Sequence, residues 1–485
     1  MRPSKLSEHI IEKDVIKTPL NAAFGDMLSQ APWCYNSLPE YLWMALIINS
    51  VGREKGFHIF SNILYELEGK EICLAEMSRI IALSKEQQNE FFDIIDKYIP
   101  VGALSPLTVV FREKEYSTFY NRYSMSNSSI EERIDTLTDV IMKLISQESR
   151  LGLDVRFLAI QFRCAKGELC FVEGTDSIIE VLGNYHCTDP GDARMPIYDS
   201  SIRAMTNAFT ACNKNQEYIV PFWDTLSTLT PCNPMLMKYE SNEVKESEME
   251  DFLKDIEKAM AYIQATLGEK AINLKYTVII GIVIYVVKLF SEMVYGGLYN
   301  KASGRIVFRT ILEAYINLKY LILKESEDSN IYEAFREYGL GKYKLIMKKV
   351  KENKYPGEEP SQYNADVLGL YTSELGNEEF LDIGIGYFDK TNIKERFTEV
   401  KELALYELYY EYNTNYAHSF WGAIRESSML LCDNPAHLYH SVPDFTFEQT
   451  LLSVYPDCRT IIIRMFKLIS EEIELPEEFC KKYEV

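Results

Sequence analysis

The chain has 485 residues and a formal charge of −21, with 47% apolar and 25% charged residues. That length suits two domains with full cores. The charge is spread along the chain: residues 1–240 carry 23 basic and 32 acidic groups (−9), and residues 241–485 carry 28 and 40 (−12). Such a surface repels polyanions at long range, which excludes a basic sequence-reading module and leaves room only for a local nucleic-acid contact.

From the N-terminus, "MRPSKLSEHIIEKDV" has no apolar core of a secretory signal, so none is expected. The ten cysteines are scattered without a C-x-x-C pair, and there are only six histidines. A reduced, cytoplasmic protein is expected from this usage. "LPEYLWMALIINSVG" repeats its apolar residues at three-and-four spacing after a proline suited to a helix start. The aromatic stretches "APWCYNSLPEYLW" and "PFWDTL" read as core. "LTVVF" (Leu107–Phe111) is β-branched, but no hairpin signals surround it. In "SSIEERIDTLTDVIMKLISQES", Ser129 and Glu132 have the spacing of a capping box. In "DSSIRAMTNAF", Asp199 or Ser200 is placed to cap a helix.

"PCNPMLMKYESNEVKESEMEDF" marks the clearest break: two prolines, then an acidic, serine-containing run. The expected organisation is all-α, with a helical domain over residues 1–236, an acidic linker over 237–250 and a helical bundle over 251–485. Within the bundle, periodicity predicts helices over about 250–267, 272–296, 302–324, 331–350, 394–428 and 447–473. A charged loop, "ENKYPGEEPSQYN" (Glu352–Asn364), divides it. "TVIIGIVIYVV" (Thr277–Val287) is about half the length of a membrane span. It reads as a buried helix, and no membrane partner is expected.

One helix carries the polar pattern of interest. In "GRIVFRTILEAYINLKYLI", Arg305, Arg309, Glu313 and Asn317 recur every four residues and form one polar stripe among apolar neighbours. Two roles fit it: a surface ion-pair row, or an interior row in which Glu313 holds Arg309 so that its guanidinium fork meets an anionic oxygen. A second candidate segment, "LYELYYEYNTNYAHSFWGAIRES", places His418 in an aromatic-rich helix. There Asn415 and Arg425 share its expected face and Asn413 lies near, and histidine is the side chain that titrates near neutrality. "LGKYKLIMKKVKENK" is the one strongly basic patch, and Lys342, Lys344, Lys348 and Lys349 are its candidate phosphate contacts. His437 and His440, with Cys432 and Asp433, have no accepted ligand spacing, so no metal and no cofactor are expected.

"GLYNKASGRIVFRTILEAYINLKYLI", followed about a hundred residues later by "YNTNYAHS", resembles a bacterial helical family known only as a domain of unknown function. The shared features are an Arg-Thr-x-x-Glu helix and a later helix that carries a small residue followed by His. That pattern is similar in turn to the HEPN superfamily of helical bundles, many of which are metal-independent ribonucleases of toxin and anti-phage systems. The resemblance covers about residues 250–470. It implies RNA as a possible substrate, a homodimer, and a catalytic set of Arg309, Glu313 and His418 supported by Asn413, Asn415 and Arg425. In that set His418 moves protons at the 2′-hydroxyl and leaving oxygen, and an arginine stabilises phosphate charge. The chain departs from the usual HEPN signature where an arginine precedes the histidine: Asn413 stands there. Arg309 or Arg425 would then supply the charge. The rival expectations are a non-catalytic sensor or scaffold whose Arg/Glu/His network is structural, and a small-ligand receptor with its pocket between bundle helices.

Overall fold

The computed structural model describes all residues except 1–4, 20–32, 113, 146–148, 170–175, 211–215, 236–243, 269–272, 353–361, 376–387, 390, 439, 447 and 449–450. The 237–250 linker and the Glu352–Asn364 loop therefore lie partly outside the described residues. The described chain is mostly helical, with two small sheets. It forms two compact units. One comprises Met1–Met235 with Leu431–Val442, and the other Leu236–Leu430 with Pro443–Val485.

The first unit opens with a short hairpin, β1 (Ile10–Glu12) and β2 (Val15–Lys17). Its longer helices are α1 (Leu38–Val51), α2 (Arg53–Leu67), α3 (Lys85–Asp96), α4 (Ile130–Ile145), α5 (Arg150–Ala165), α6 (Met195–Thr210) and α7 (Gln216–Leu229). α1 is apolar on every side and is accordingly the buried centre, packed against α2, α4 and α5. Gly52, at φ 85°, makes the corner between α1 and α2 in a conformation that favours glycine. The capping box before α4 forms as the spacing predicts: the Ser129 amide donates to Glu132 and the Glu132 amide to the Ser129 hydroxyl. Two local expectations change. "LTVVF" forms no strand, and its first three residues fall in a tight helical turn (Ser105–Val109). α6 starts at Met195, four residues before Asp199, and Asp199 accepts a two-pronged pair from Arg150 (2.8 and 3.0 Å) instead of capping it. Trp33, Trp43, Phe222 and Trp223 are in the core, as the aromatic stretches predict.

The second unit contains α8 (Glu246–Leu267), α9 (Leu274–Tyr295), α10 (Ala302–Lys324), α11 (Ile331–Lys351), α12 (Ile393–Glu399), α13 (Glu411–Ala417), α14 (Trp421–Ser428) and α15 (Tyr455–Ser470). α10 is central and packs against α9, α12, α13 and α15. It can start where it does because Gly304 passes over the preceding turn: a Cβ there would sit 2.1 Å from the Leu298 carbonyl oxygen. α9 is the one helix among the described residues long and apolar enough to cross a membrane. Ile279, Val283, Val286, Phe290 and Met293 on one side of it belong to the core of this unit.

The single helix expected over 394–428 is broken. Lys401 (φ 60°) interrupts it after α12, a wide π-type turn occupies Tyr406–Tyr410, and Ser419 (φ 54°) separates α13 from α14. Between these helices and α15, the chain makes the short excursion Leu431–Val442 that belongs to the first unit. There β3 (Pro234–Met235) pairs antiparallel with β4 (Met429–Cys432) through Pro234↔Cys432 and Met235↔Leu431, and β5 (Ser441–Pro443) follows β4.

Candidate functional site

The polar stripe of α10 faces inward, and each of its members has a partner from another segment of the second unit. Arg305 is buried and donates to the Leu452 carbonyl (2.8 Å), with its guanidinium 5.3 Å from the Tyr416 ring centre. Asn317 accepts from Arg396 (2.7 Å). Between them, Arg309 pairs with Glu313 (3.2 Å), and its Nε donates to the Thr414 hydroxyl (3.3 Å). The Tyr410 hydroxyl accepts from Arg309 Nη2 and donates to Glu313 (2.6 Å), and the guanidinium lies 4.5 Å from the Tyr410 ring centre. This closes a four-residue network between α10 and the segment entering α13. The π-type turn contributes to it by stacking Tyr406 on Tyr410 at 5.3 Å, which fixes the direction of the Tyr410 hydroxyl. Burial and the Glu313 hydrogen bond push the Tyr410 hydroxyl well above its ordinary pKa.

His418 lies apart from that network. It ends α13, where its amide donates to the Thr414 carbonyl, and its ring is exposed and stacked 5.7 Å from Phe420. Among the described contacts, no hydrogen bond or ion pair joins it to Arg309 or Glu313. The supporting residues are used locally. Asn413 is buried and donates to the Tyr409 carbonyl (2.6 Å), leaving its own side-chain oxygen without a partner. Asn415 donates to the Glu411 and Tyr412 carbonyls. Arg425 donates to the Met429 carbonyl (3.4 Å) and lies on α14, so the break at Ser419 takes it off the helix that carries His418. Phe420 and Trp421, at the corner beside His418, are more than half exposed.

On α11, Lys342 sits 4.8 Å from the Tyr338 ring centre, Lys348 pairs with Glu352, and Lys348 and Lys349 are exposed. Two polar features escaped the sequence reading. Arg396 is fully buried and bridges Asn317, Asp389 (3.2 Å) and Thr391. Cys232 joins Cys432, His437 and His440, whereas Asp433 turns away to accept from Asn233 (2.6 Å). A buried arginine with several side-chain partners leaves no spacing signature, and Cys232 lies 208 positions from His440.

A family model described as a family of unknown function (DUF5677) matches residues 276–437, a segment that contains both the α10 stripe and His418. No curated protein and no solved structure matches the chain. This much agrees with the likeness to an uncharacterised helical family read from the Arg-Thr-x-x-Glu and Ala-His segments.

Proposed function

We propose that the second unit is a helical sensor or scaffold module, and that the Arg309–Glu313–Tyr410–Thr414 network serves its packing. The observation that carries this reading is the use of the Arg309 fork: Nε and Nη2 are engaged with Thr414, Glu313 and Tyr410, and His418 is bonded to none of them. An interior network of this kind fixes one docking geometry between helices. In this reading the exposed corner of His418, Phe420 and Trp421 is the contact surface, since exposed Trp and Phe are typical anchors of protein interfaces.

A second reading keeps one specific observation in its favour. His418 is open to solvent beside two exposed aromatic rings, the arrangement on which unpaired bases stack. Under it the unit is a HEPN-like, metal-independent ribonuclease of a toxin or anti-phage type, with His418 as the proton carrier and the α11 lysines as phosphate contacts. One experiment separates the two: incubation of the purified full chain with RNA in EDTA, alongside His418→Ala and Glu313→Ala. The scaffold reading expects no RNA loss that depends on His418. It also expects Glu313→Ala to leave the partly buried Arg309 and the buried Tyr410 hydroxyl short of an acceptor, at about 1–3 kcal/mol. For a unit of this size that corresponds to a fall in Tm of roughly 2–10 °C. EDTA-resistant cleavage abolished by His418→Ala at unchanged Tm would replace the scaffold reading with the nuclease one.

A further inference from the structure

We propose that Cys232, Cys432, His437 and His440 bind one zinc ion, tetrahedrally, as a structural site of the first unit. All four residues belong to that unit, although Cys232 precedes the other three by some two hundred positions. Their ligand atoms all lie within 4.8 Å of one another. The separations are 3.3 Å from Cys232 Sγ to His440 Nε2, 3.7 Å from Cys432 Sγ to His437 Nδ1, and 3.4 Å from His437 Nδ1 to His440 Nε2. With metal–sulfur distances of about 2.3 Å and metal–nitrogen distances of about 2.05 Å, a tetrahedral centre spaces its ligand atoms about 3.3–3.8 Å apart. The three measured separations fall in that range.

The tautomer of His437 points the same way. Its Nε2 lies 3.1 Å from the Thr230 carbonyl oxygen. A carbonyl only accepts, so Nε2 carries the hydrogen and Nδ1 presents its lone pair to Cys432 and His440. Orientation of a ligand histidine by a backbone carbonyl on its far nitrogen is the usual support of a zinc ligand. The backbone around the four residues is held independently of any ion. Asn434 donates to the Pro231 carbonyl (2.9 Å), the Asp433 amide to the Asn233 carbonyl (3.2 Å), and the Cys432 amide to the His440 carbonyl (3.1 Å). Leu438, in the left-handed region, turns the chain between the two histidines. Two thiolates and two imidazoles favour zinc over the oxygen-seeking divalent cations. Both thiols bind as thiolates, so uptake releases their protons to solvent.

The test uses the full chain, purified without chelator or polyhistidine tag, with bound metals measured by inductively coupled plasma mass spectrometry. The expected result is about one zinc per chain. Cys232→Ser and His440→Ala, both at exposed positions, lose the zinc, whereas substitution of the exposed thiol Cys187 by serine retains it. In the zinc-stripped chain, cobalt(II) gives the visible bands of a tetrahedral thiolate site. The variant His440→Cys keeps those bands and strengthens the sulfur-to-cobalt charge transfer, a readout that does not depend on losing the site. A chain that unfolds at its normal Tm while taking up neither zinc nor cobalt overturns the proposal. So does peptide mapping that finds Cys232 and Cys432 joined as a disulfide in the freshly purified chain.

Discussion

Glu40 shows how much a single side chain can hold in a helix core. It lies in the first turn of α1, buried, with its carboxylate accepting from the Ser78 amide (2.8 Å) and the Ser78 hydroxyl (2.7 Å). Burial pushes its pKa up to about 7, against the downward pull of the Ser78 bonds, while Glu76 pushes further up and Arg79 pulls down. The folded chain therefore binds this proton more tightly than the unfolded chain, in which a glutamate titrates near 4.3. The resulting stability is fully present below about pH 4 and is lost as pH rises through about 7, amounting to at most about 4 kcal/mol. Glu40→Gln should remove that slope: urea midpoints at pH 5 and pH 8 should differ less in the variant than in the parent chain. The sequence displayed the i, i+4 spacing of Arg309 and Glu313. It did not display the acceptors. Tyr410 finds Glu313, Tyr416 finds Glu426, Tyr315 finds Glu402 and Tyr185 finds Asp154, each across a gap that only the fold closes.

At the level of whole elements, the helices of the second unit are legible where one period runs unbroken. α8, α9, α10 and α11 lie within a few residues of their expected bounds because their apolar faces repeat every three or four positions. The stretch 393–428 has the same periodicity, and its breaks stand at Lys401 and Ser419, where neither glycine nor proline announces them. The docking of α12 on α10 rests on Arg396, which meets Asn317, Asp389 and Thr391 and lies 4.4 Å from the Phe388 ring centre. Arg396→Met leaves the partly buried Asp389 carboxylate without its cation, at about 1–3 kcal/mol. Chemical denaturation should show this as an earlier transition. A midpoint within error of the parent would mean that the bridge adds nothing to the packing.

On the scale of the whole molecule, the feature absent from every local pattern is the return of Leu431–Val442 to the first unit. A 12-residue excursion has no composition of its own. Its role comes from Ala436, which is fully buried in the first core, and from Leu438, which packs against it. A fragment ending at Met235 lacks both, together with three of the four proposed zinc ligands. It should be poorly soluble and should melt below a chimaera in which Met235 is joined by a short Gly-Ser linker to Leu431–Val442. Differential scanning fluorimetry of the two fragments decides this, and equal melting would make the excursion ornamental.

This threading also sets an order of events on the ribosome. The N-terminal helices leave the exit tunnel first, yet their last core residue arrives only after about 200 further residues have been made, roughly 10–40 s later at ordinary rates of elongation. Until then the early half lacks part of its core while the later helices are being made. A nascent chain of this design carries an unfinished first core through that whole interval.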